Sequence, residues 1–209
     1  MQIELSNLSK RYRYEWIFKN INYTFESGKC YAITGANGSG KSTFMRILAA
    51  YLSPTKGKVV HQQLGQTVKS EEVYKYLSYA APYMDLVEEF SLKEQLLFHQ
   101  KFKAFSPEIS IEELLTILAF KKSKNKLISH FSSGMKQRLK LLLAICSDVP
   151  LLLLDEPTTN LDRQGIDWYL QLIEQFGKQR TIIVASNVEE DYGFCDAVLN
   201  IMDYKPNAR

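Results

Sequence analysis

The segment Gly35-Ala36-Asn37-Gly38-Ser39-Gly40-Lys41-Ser42 fits the pattern G-x-x-x-x-G-K-S/T. Glycines at this spacing let a backbone curl until its N–H groups point at phosphate oxygens. A helix opening at the end of the loop adds the positive end of its dipole. In that arrangement Lys41 neutralises the β- and γ-phosphates of a nucleotide, and the Ser42 hydroxyl ligates Mg²⁺. Gly35, Asn37, Gly38, Ser39, Gly40 and Thr43 complete the cradle. Further along, Leu151-Leu152-Leu153-Leu154 runs into Asp155-Glu156. A buried apolar strand of this kind delivers carboxylates to its C-terminal end, where ligands of open α/β sheets bind. Asp155 is placed to hold the Mg²⁺ shell, and Glu156 to orient or deprotonate an attacking water. Those are roles that phosphoryl transfer needs.

The flanking pattern supplies elements to position these groups. Ile3 and Leu5 fall on one face of a first strand, and Ile21, Tyr23 and Phe25 on one face of a second. Cys30–Thr34 reads as a short buried strand entering the glycine-rich loop. Phe44, Ile47, Leu48 and Tyr51 then repeat at helical spacing, with Ser53-Pro54 as the stop. Val59–His61 and Tyr76–Tyr79 are further strand candidates. Ser91-Leu92-Lys93-Glu94 and Ser110-Ile111-Glu112-Glu113 are capping-box patterns. Ile111, Leu114, Leu115 and Leu118 form one apolar helical face; Leu139, Leu142, Leu143 and Cys146 form another. Residues from about Leu86 to Asp148 therefore read as a helical insert. Strands return at Leu151–Leu154 and Thr181–Ala185. Strands alternating with helices predict an α/β fold with a mainly parallel sheet.

A chain of 209 residues suits one domain, or one domain with a sub-lobe. A net charge of +3 neither demands nucleic acid nor excludes it. Cys30, Cys146 and Cys195 show no metal spacing and no CxxC pair, which predicts reduced thiols. His61, His99 and His130 read as surface or structural residues. Met1-Gln2-Ile3-Glu4 shows no basic region followed by an apolar stretch, so a signal peptide is not expected. The richest apolar stretch, Leu139–Leu154, is broken by Lys140, Asp148 and Pro150, so it is not a membrane span. Work at a membrane would need a partner.

Shortly before the Asp-Glu strand stands His130-Phe131-Ser132-Ser133-Gly134-Met135-Lys136-Gln137-Arg138-Leu139. A small polar loop opening a helix is a second anion site in physical terms. In this place it resembles the signature of ATP-binding cassette (ABC) proteins, usually written LSGGQ, with Phe for Leu, Ser for the first Gly and Met for Gln. Thr158-Thr159-Asn160-Leu161-Asp162 resembles the D-loop of that family. Tyr12 sits where the family places an aromatic that stacks on adenine. The resemblance runs from Ile3 to about Met202. It implies a P-loop NTPase of ABC type: a mainly parallel core sheet, an antiparallel β sub-lobe and an α-helical subdomain. Residues 1–209 would form a single nucleotide-binding domain, with the helical subdomain at roughly 86–148. It also implies ATP and Mg²⁺ as cofactors and a head-to-tail dimer with a second ABC subunit, identical or different. Ser132 and Gly134 would then contact the γ-phosphate held by the partner.

The departures from the family pattern bear on catalysis. Most members carry a glutamine after the strand that here is Tyr76–Ala81, and Pro82 stands there instead. Most carry a histidine after Thr181–Ser186, and Asn187 takes that place, able to hydrogen-bond but not to titrate. Lys41, Glu156 and Asn187 are accordingly the expected catalytic set, with Ser42 and Asp155 for the metal. The expected activity is an ATPase, of low intrinsic rate if Pro82 and Asn187 limit it. The expected setting is the cytoplasmic face of a membrane, beside a transmembrane permease subunit. Export is favoured over import, because the chain ends soon after Met202. Nucleic acid is not an expected partner. The alternatives are a soluble ABC ATPase acting on nucleic acid or ribosomes, and a weakly hydrolysing regulatory subunit.

Overall fold

Alternating apolar residues build the first sheet. β1 (Gln2–Tyr12) buries Ile3, Leu5 and Leu8, and β2 (Glu15–Phe25) buries Phe18, Ile21 and Phe25. The two pair antiparallel, with Ile3 opposite Phe25 and Leu5 opposite Tyr23. The chain then enters a second sheet through β3 (Cys30–Thr34), makes the glycine-rich loop, and forms α1 (Lys41–Leu48). It returns to the first sheet as β4 (Lys56–Gln63) and the short β5 (Gln66–Val68), giving the order β2-β1-β4-β5. Ring contacts tie these pieces together: Phe18 meets Phe44 edge-on at 5.7 Å, and Phe25 meets Tyr31 edge-on at 5.0 Å. Phe44 is fully buried. Truncating such a side chain to alanine costs about 3–5 kcal/mol.

The second sheet has the order β6-β7-β8-β3-β9, with β6 (Leu77–Ala80), β7 (Leu151–Asp155), β8 (Thr181–Ala185) and β9 (Ala197–Asn200). β7 runs parallel to β8, β8 to β3, and β3 to β9. Every residue of β7 and β8 is buried, which explains the apolar runs Leu151–Leu154 and Ile182–Ala185. α1 packs on β7 and β8 and buries Phe44, Met45, Ile47 and Leu48. It stops earlier than the spacing predicts. Ala50 adopts a left-handed φ of 58°, so Tyr51 falls outside the helix and is exposed. Tyr76 likewise closes a 3-10 helix, Ser70–Tyr76, and the strand begins at Leu77.

The computed structural model describes residues 1–206. Both sheets, except Ala80 at the end of β6, belong to one compact unit; residues 80–148 and 157–178 form the other. This second unit holds α2 (Leu92–Phe102), α3 (Ile111–Ile117), α4 (Ser133–Ile145) and α5 (Arg163–Phe176). Ser91 and Ser110 both complete the expected capping boxes: each hydroxyl accepts from the Glu N–H and each Glu carboxylate accepts from the Ser N–H. Hydrogen bonds from Ser91 and Ser110 hold the Glu94 and Glu113 carboxyls below their usual range. α4 and α5 pack on each other, and Trp168 Nε1 donates to Ile117 O at 2.8 Å. Among the described residues no helix is long and apolar enough to cross a membrane.

The cysteines depart from expectation. Cys30 and Cys195, 165 residues apart, are brought to a Cα–Cα distance of 4.6 Å and form a disulfide. Cys146 is buried and stands outside it. The histidines are structural or exposed: His61 Nε2 lies 2.7 Å from Leu48 O, His99 stacks on Phe105, and His130 is exposed. His99 Nε2 also lies 2.8 Å from Ser147 Oγ. Burial, helped by the nearby Lys103 charge, pushes the His99 imidazole down to about 4. A depressed folded-state value means that the unfolded chain binds the proton first as pH falls. His99 therefore contributes stability above pH ~6.5 that is lost progressively towards pH ~4. Denaturant titrations at pH 7.5 and 5.5 are expected to show a loss from this group of about 1 kcal/mol, and His99→Gln to reduce that difference.

Candidate functional site

The glycine-rich loop occupies the turn from β3 into α1. Gly35 has φ 143°, and a Cβ there would meet Ile201 Cγ2 at 2.6 Å and Ser39 Oγ at 2.9 Å. Gly40, the N-cap of α1, has φ 105°, and a Cβ there would stand 2.4 Å from Ile17 Cγ2. Both positions exclude a side chain by conformation and by space. No side chain caps α1. The N–H groups of its first turn, which have no partner within the helix, are thus left for a ligand. A cavity of about 230 Å³ lies over them, lined by Ile17, Asn37, Gly38, Gly40, Lys41, Ser42, Thr43 and Glu156. Lys41 is almost fully buried, and its Nζ donates to Gly35 O at 2.8 Å. Ser39 is buried too, and its Oγ has no hydrogen-bond partner. A buried cation, uncapped N–H groups and an orphan hydroxyl form a donor set that fits a polyphosphate.

β7 brings the acids to this unit's loop end. Asp155 is 1% exposed and accepts a hydrogen bond from Tyr79 Oη at 3.3 Å. Glu156 leaves the strand with a left-handed φ of 46°, and its N–H donates to Ala185 O at 2.8 Å. Non-glycine residues seldom adopt that conformation, which here turns Glu156 to the cavity wall. Among the described residues no group of three or more His, Cys, Asp or Glu side chains could hold a metal by itself. A Mg²⁺ ion served by a hydroxyl, a carboxylate, phosphate oxygens and water needs no such group. After β8, Asn187 hydrogen-bonds to the loop, at Gly35 N and Asn37 Oδ1.

The helical unit has its own cavity, of about 380 Å³, at the N-terminus of α4. Ser132, Gly134, Arg138, Asn160 and Asp162 are among its lining residues. Ser132 is the N-cap, its Oγ accepting from Met135 N–H at 3.2 Å. Gly134 allows a close approach: a Cβ there would lie 3.0 Å from Asn160 O. Gln137 Nε2 donates to Pro157 O at 2.7 Å, which ties α4 to the loop carrying Asn160. The Arg138 guanidinium sits over Trp168 at 4.6 Å and Phe120 at 5.6 Å. Two lysines one turn apart reach back from α4 to the segment after β6. Lys136 pairs with Glu88, and Lys140 Nζ donates to Pro82 O at 2.8 Å.

Tyr12 is not among the residues lining the phosphate-side cavity. It lies near the hairpin end of β1, 45% exposed, with Lys10 Nζ 5.1 Å from its ring centroid. Ile17 is the lining residue that sequence reasoning missed. Its only signal is an apolar side chain on β2, whose neighbour across the loop depends on the fold.

A model of the family described as ABC transporter matches residues 18–159. The chain is 32% identical over 207 residues to the uncharacterised ABC transporter ATP-binding protein YybJ of Bacillus subtilis, covering 95% of this chain and 92% of that protein. It is 31% identical to the lantibiotic transport ATP-binding protein SrtF of Streptococcus pyogenes, covering 89% of this chain and 80% of that one. A dimeric ATP-binding cassette in a post-hydrolysis state, bound to ADP and phosphate, shares the fold with a TM-score of 0.78 at 22% identity, covering 95% of this chain and 93% of that one.

The geometry at Gly40 gives a direct test. Gly40→Ala forces a methyl group against Ile17 at a backbone angle that alanine resists. It is expected to weaken ADP binding by roughly 10-fold or more, measured by polarisation of a fluorescent ADP. Affinity within twofold of wild type would refute the assignment of this cavity to phosphates.

Proposed function

The chain belongs to the ABC transporter family and hydrolyses ATP, and on that premise we propose that two such subunits close around ATP and Mg²⁺ to drive a transmembrane partner that exports its substrate. The observation that carries this reading is that one chain holds two anion-ready cavities of different make. One is a cradle of backbone N–H groups with a buried lysine. The other is a serine-capped helix N-terminus whose cavity is lined by Arg138 and Asp162 as well as by Ser132 and Gly134. Each is half of what a triphosphate needs. A head-to-tail pair of subunits supplies both halves to each nucleotide.

In this reading Lys41 neutralises the β- and γ-phosphates, and Ser42 and Asp155 hold Mg²⁺. Glu156 orients or deprotonates the attacking water. Ser132 and Gly134 meet the γ-phosphate bound by the other subunit, and Tyr12 offers a ring to adenine, with Lys10 against it. ATP binding favours the closed pair, and hydrolysis removes that preference, so the binding difference does the work. The helical unit offers a surface for the transmembrane partner. Phe98 and Phe102, on α2, are exposed, and their rings form a ladder with Phe90 at spacings of 5.0–5.2 Å. An apolar face of this kind suits a short helix from a membrane subunit. Export as the direction is supported by the relative named for Nod factor export. The protein would then sit peripherally on the cytoplasmic face.

Steady-state phosphate release tests the catalytic assignment. Glu156→Gln is expected to lower kcat by roughly 100-fold or more, the usual effect of removing a general base, while retaining ATP binding. Wild-type turnover no higher than that of Glu156→Gln would sink it. Affinity purification from detergent-solubilised cells is expected to recover an integral membrane protein. Recovery of ribosomes or DNA instead would overturn the transporter reading.

A further inference from the structure

The turn after β8 is built to hold one side chain in place. Ser186 N–H donates to Ile33 O at 3.1 Å, which ties the turn to the strand that leads into the nucleotide loop. Ser186 Oγ donates to Asp191 Oδ2, and both residues are 1% exposed. Val188 N–H donates to Ser186 Oγ at 3.0 Å, and Asp191 N–H donates to Val188 O at 3.0 Å. The residue presented by this braced turn is Asn187, whose own side chain is exposed.

Asn187 spends both ends of its amide on the loop. Gly35 N–H donates to its Oδ1 at 3.2 Å, and its Nδ2 donates to Asn37 Oδ1 at 3.1 Å. Gly35 is held from its other side as well, because Lys41 Nζ donates to its carbonyl at 2.8 Å. The loop needs such holding. Gly35, Gly38 and Gly40 all have positive φ, at 143°, 75° and 105°, and glycines lose more conformational freedom on ordering than any other residue. A strut that fixes the loop beforehand lowers the entropic cost of binding. An amide suits the task because it offers an acceptor and a donor side by side. A neutral imidazole presents its donor and acceptor in divergent directions, and a protonated one has no acceptor for Gly35 N–H.

We infer that Asn187 is a positioning residue of the nucleotide loop, which strengthens the binding of nucleoside di- and triphosphates alike by fixing Gly35 and Asn37. This role differs from that of the histidine that most family members place there, which meets the γ-phosphate. The inference rests on reading residues 35–42 as the phosphate cradle.

Dissociation constants for Mg-ADP and for Mg²⁺ with a non-hydrolysable ATP analogue, measured by titration calorimetry, separate the two roles. Asn187→Ala is expected to weaken both nucleotides by the same factor, roughly 5-fold, the scale of a lost hydrogen bond or two. Asn187→Ser, too short to reach Gly35 and Asn37, is expected to match it. Because the contacts lie at the surface, the unfolding temperature without nucleotide should stay at the wild-type value. That separates a positioning role from a structural one. If either variant binds ADP like wild type, whether or not the ATP analogue weakens, the inference falls. A drop in nucleotide-free unfolding temperature that accounts for the weakened binding also overturns it. A wild-type chain that binds neither nucleotide overturns the cradle reading itself, an outcome distinct from a variant that matches a binding wild type.

Discussion

An uncapped helix N-terminus is the constraint that the rest of the molecule serves. Backbone donors without partners are costly to enclose, each by about 1–3 kcal/mol, and most helices cap theirs with a side chain. α1 starts instead at a glycine in a left-handed conformation, with no capping side chain. The loop keeps this form because neighbours press on it where a Cβ would be: Ile17 from β2 at Gly40, and Ile201 at Gly35. The helix behind it is pinned by apolar burial, Phe44 against Phe18 and Phe25. Core packing thus stabilises a surface that local hydrogen bonding leaves unsatisfied, and phosphate is the ligand chemistry that such a surface fits.

The same division of labour holds at the acidic end. β7 and β8 are buried along their whole length, so their pairing fixes where β7 ends. Asp155 stays within the sheet and is almost fully buried, while Glu156 leaves it at a left-handed φ of 46°. A left-handed glutamate costs of order 1 kcal/mol or more. The hydrogen bond from its N–H to Ala185 O helps hold it there. One residue step therefore separates a carboxylate shielded from solvent from one that lines the cavity, and adjacent acids stand in different environments.

Much of this was legible in the sequence because it is local. The glycine loop, the all-leucine strand and the two capping boxes are each specified within a few residues, and each forms where its pattern lies. The α/β class followed from strands alternating with helices. What escaped the sequence joins distant segments or depends on a backbone angle. The Cys30–Cys195 pairing spans 165 residues, and nothing in either neighbourhood marks it. Ala50 ends α1 early by taking a positive φ, against a spacing that would have carried the helix on to Tyr51. Ile17 lines the cavity because of how β2 lies over the loop, and Asn187 reaches Asn37 across 150 positions. Helical spacing marks α4's buried face but gives no sign that Lys136 and Lys140 reach the segment after β6.

Those two lysines meet the segment where most members of the family carry a glutamine. Pro82 has no side-chain amide, so it cannot report on a γ-phosphate as a glutamine could. Its carbonyl remains available, and Lys140 Nζ takes it; one turn earlier on the same helix Lys136 pairs with Glu88. Burial lowers the Lys140 ammonium from its usual range, with Asp85 opposing the shift, so the contact to Pro82 serves a cation partly removed from water. Both tethers lie on the helix that Ser132 caps. A displacement of residues 82–88 would therefore reach this helix through two side-chain links on one face.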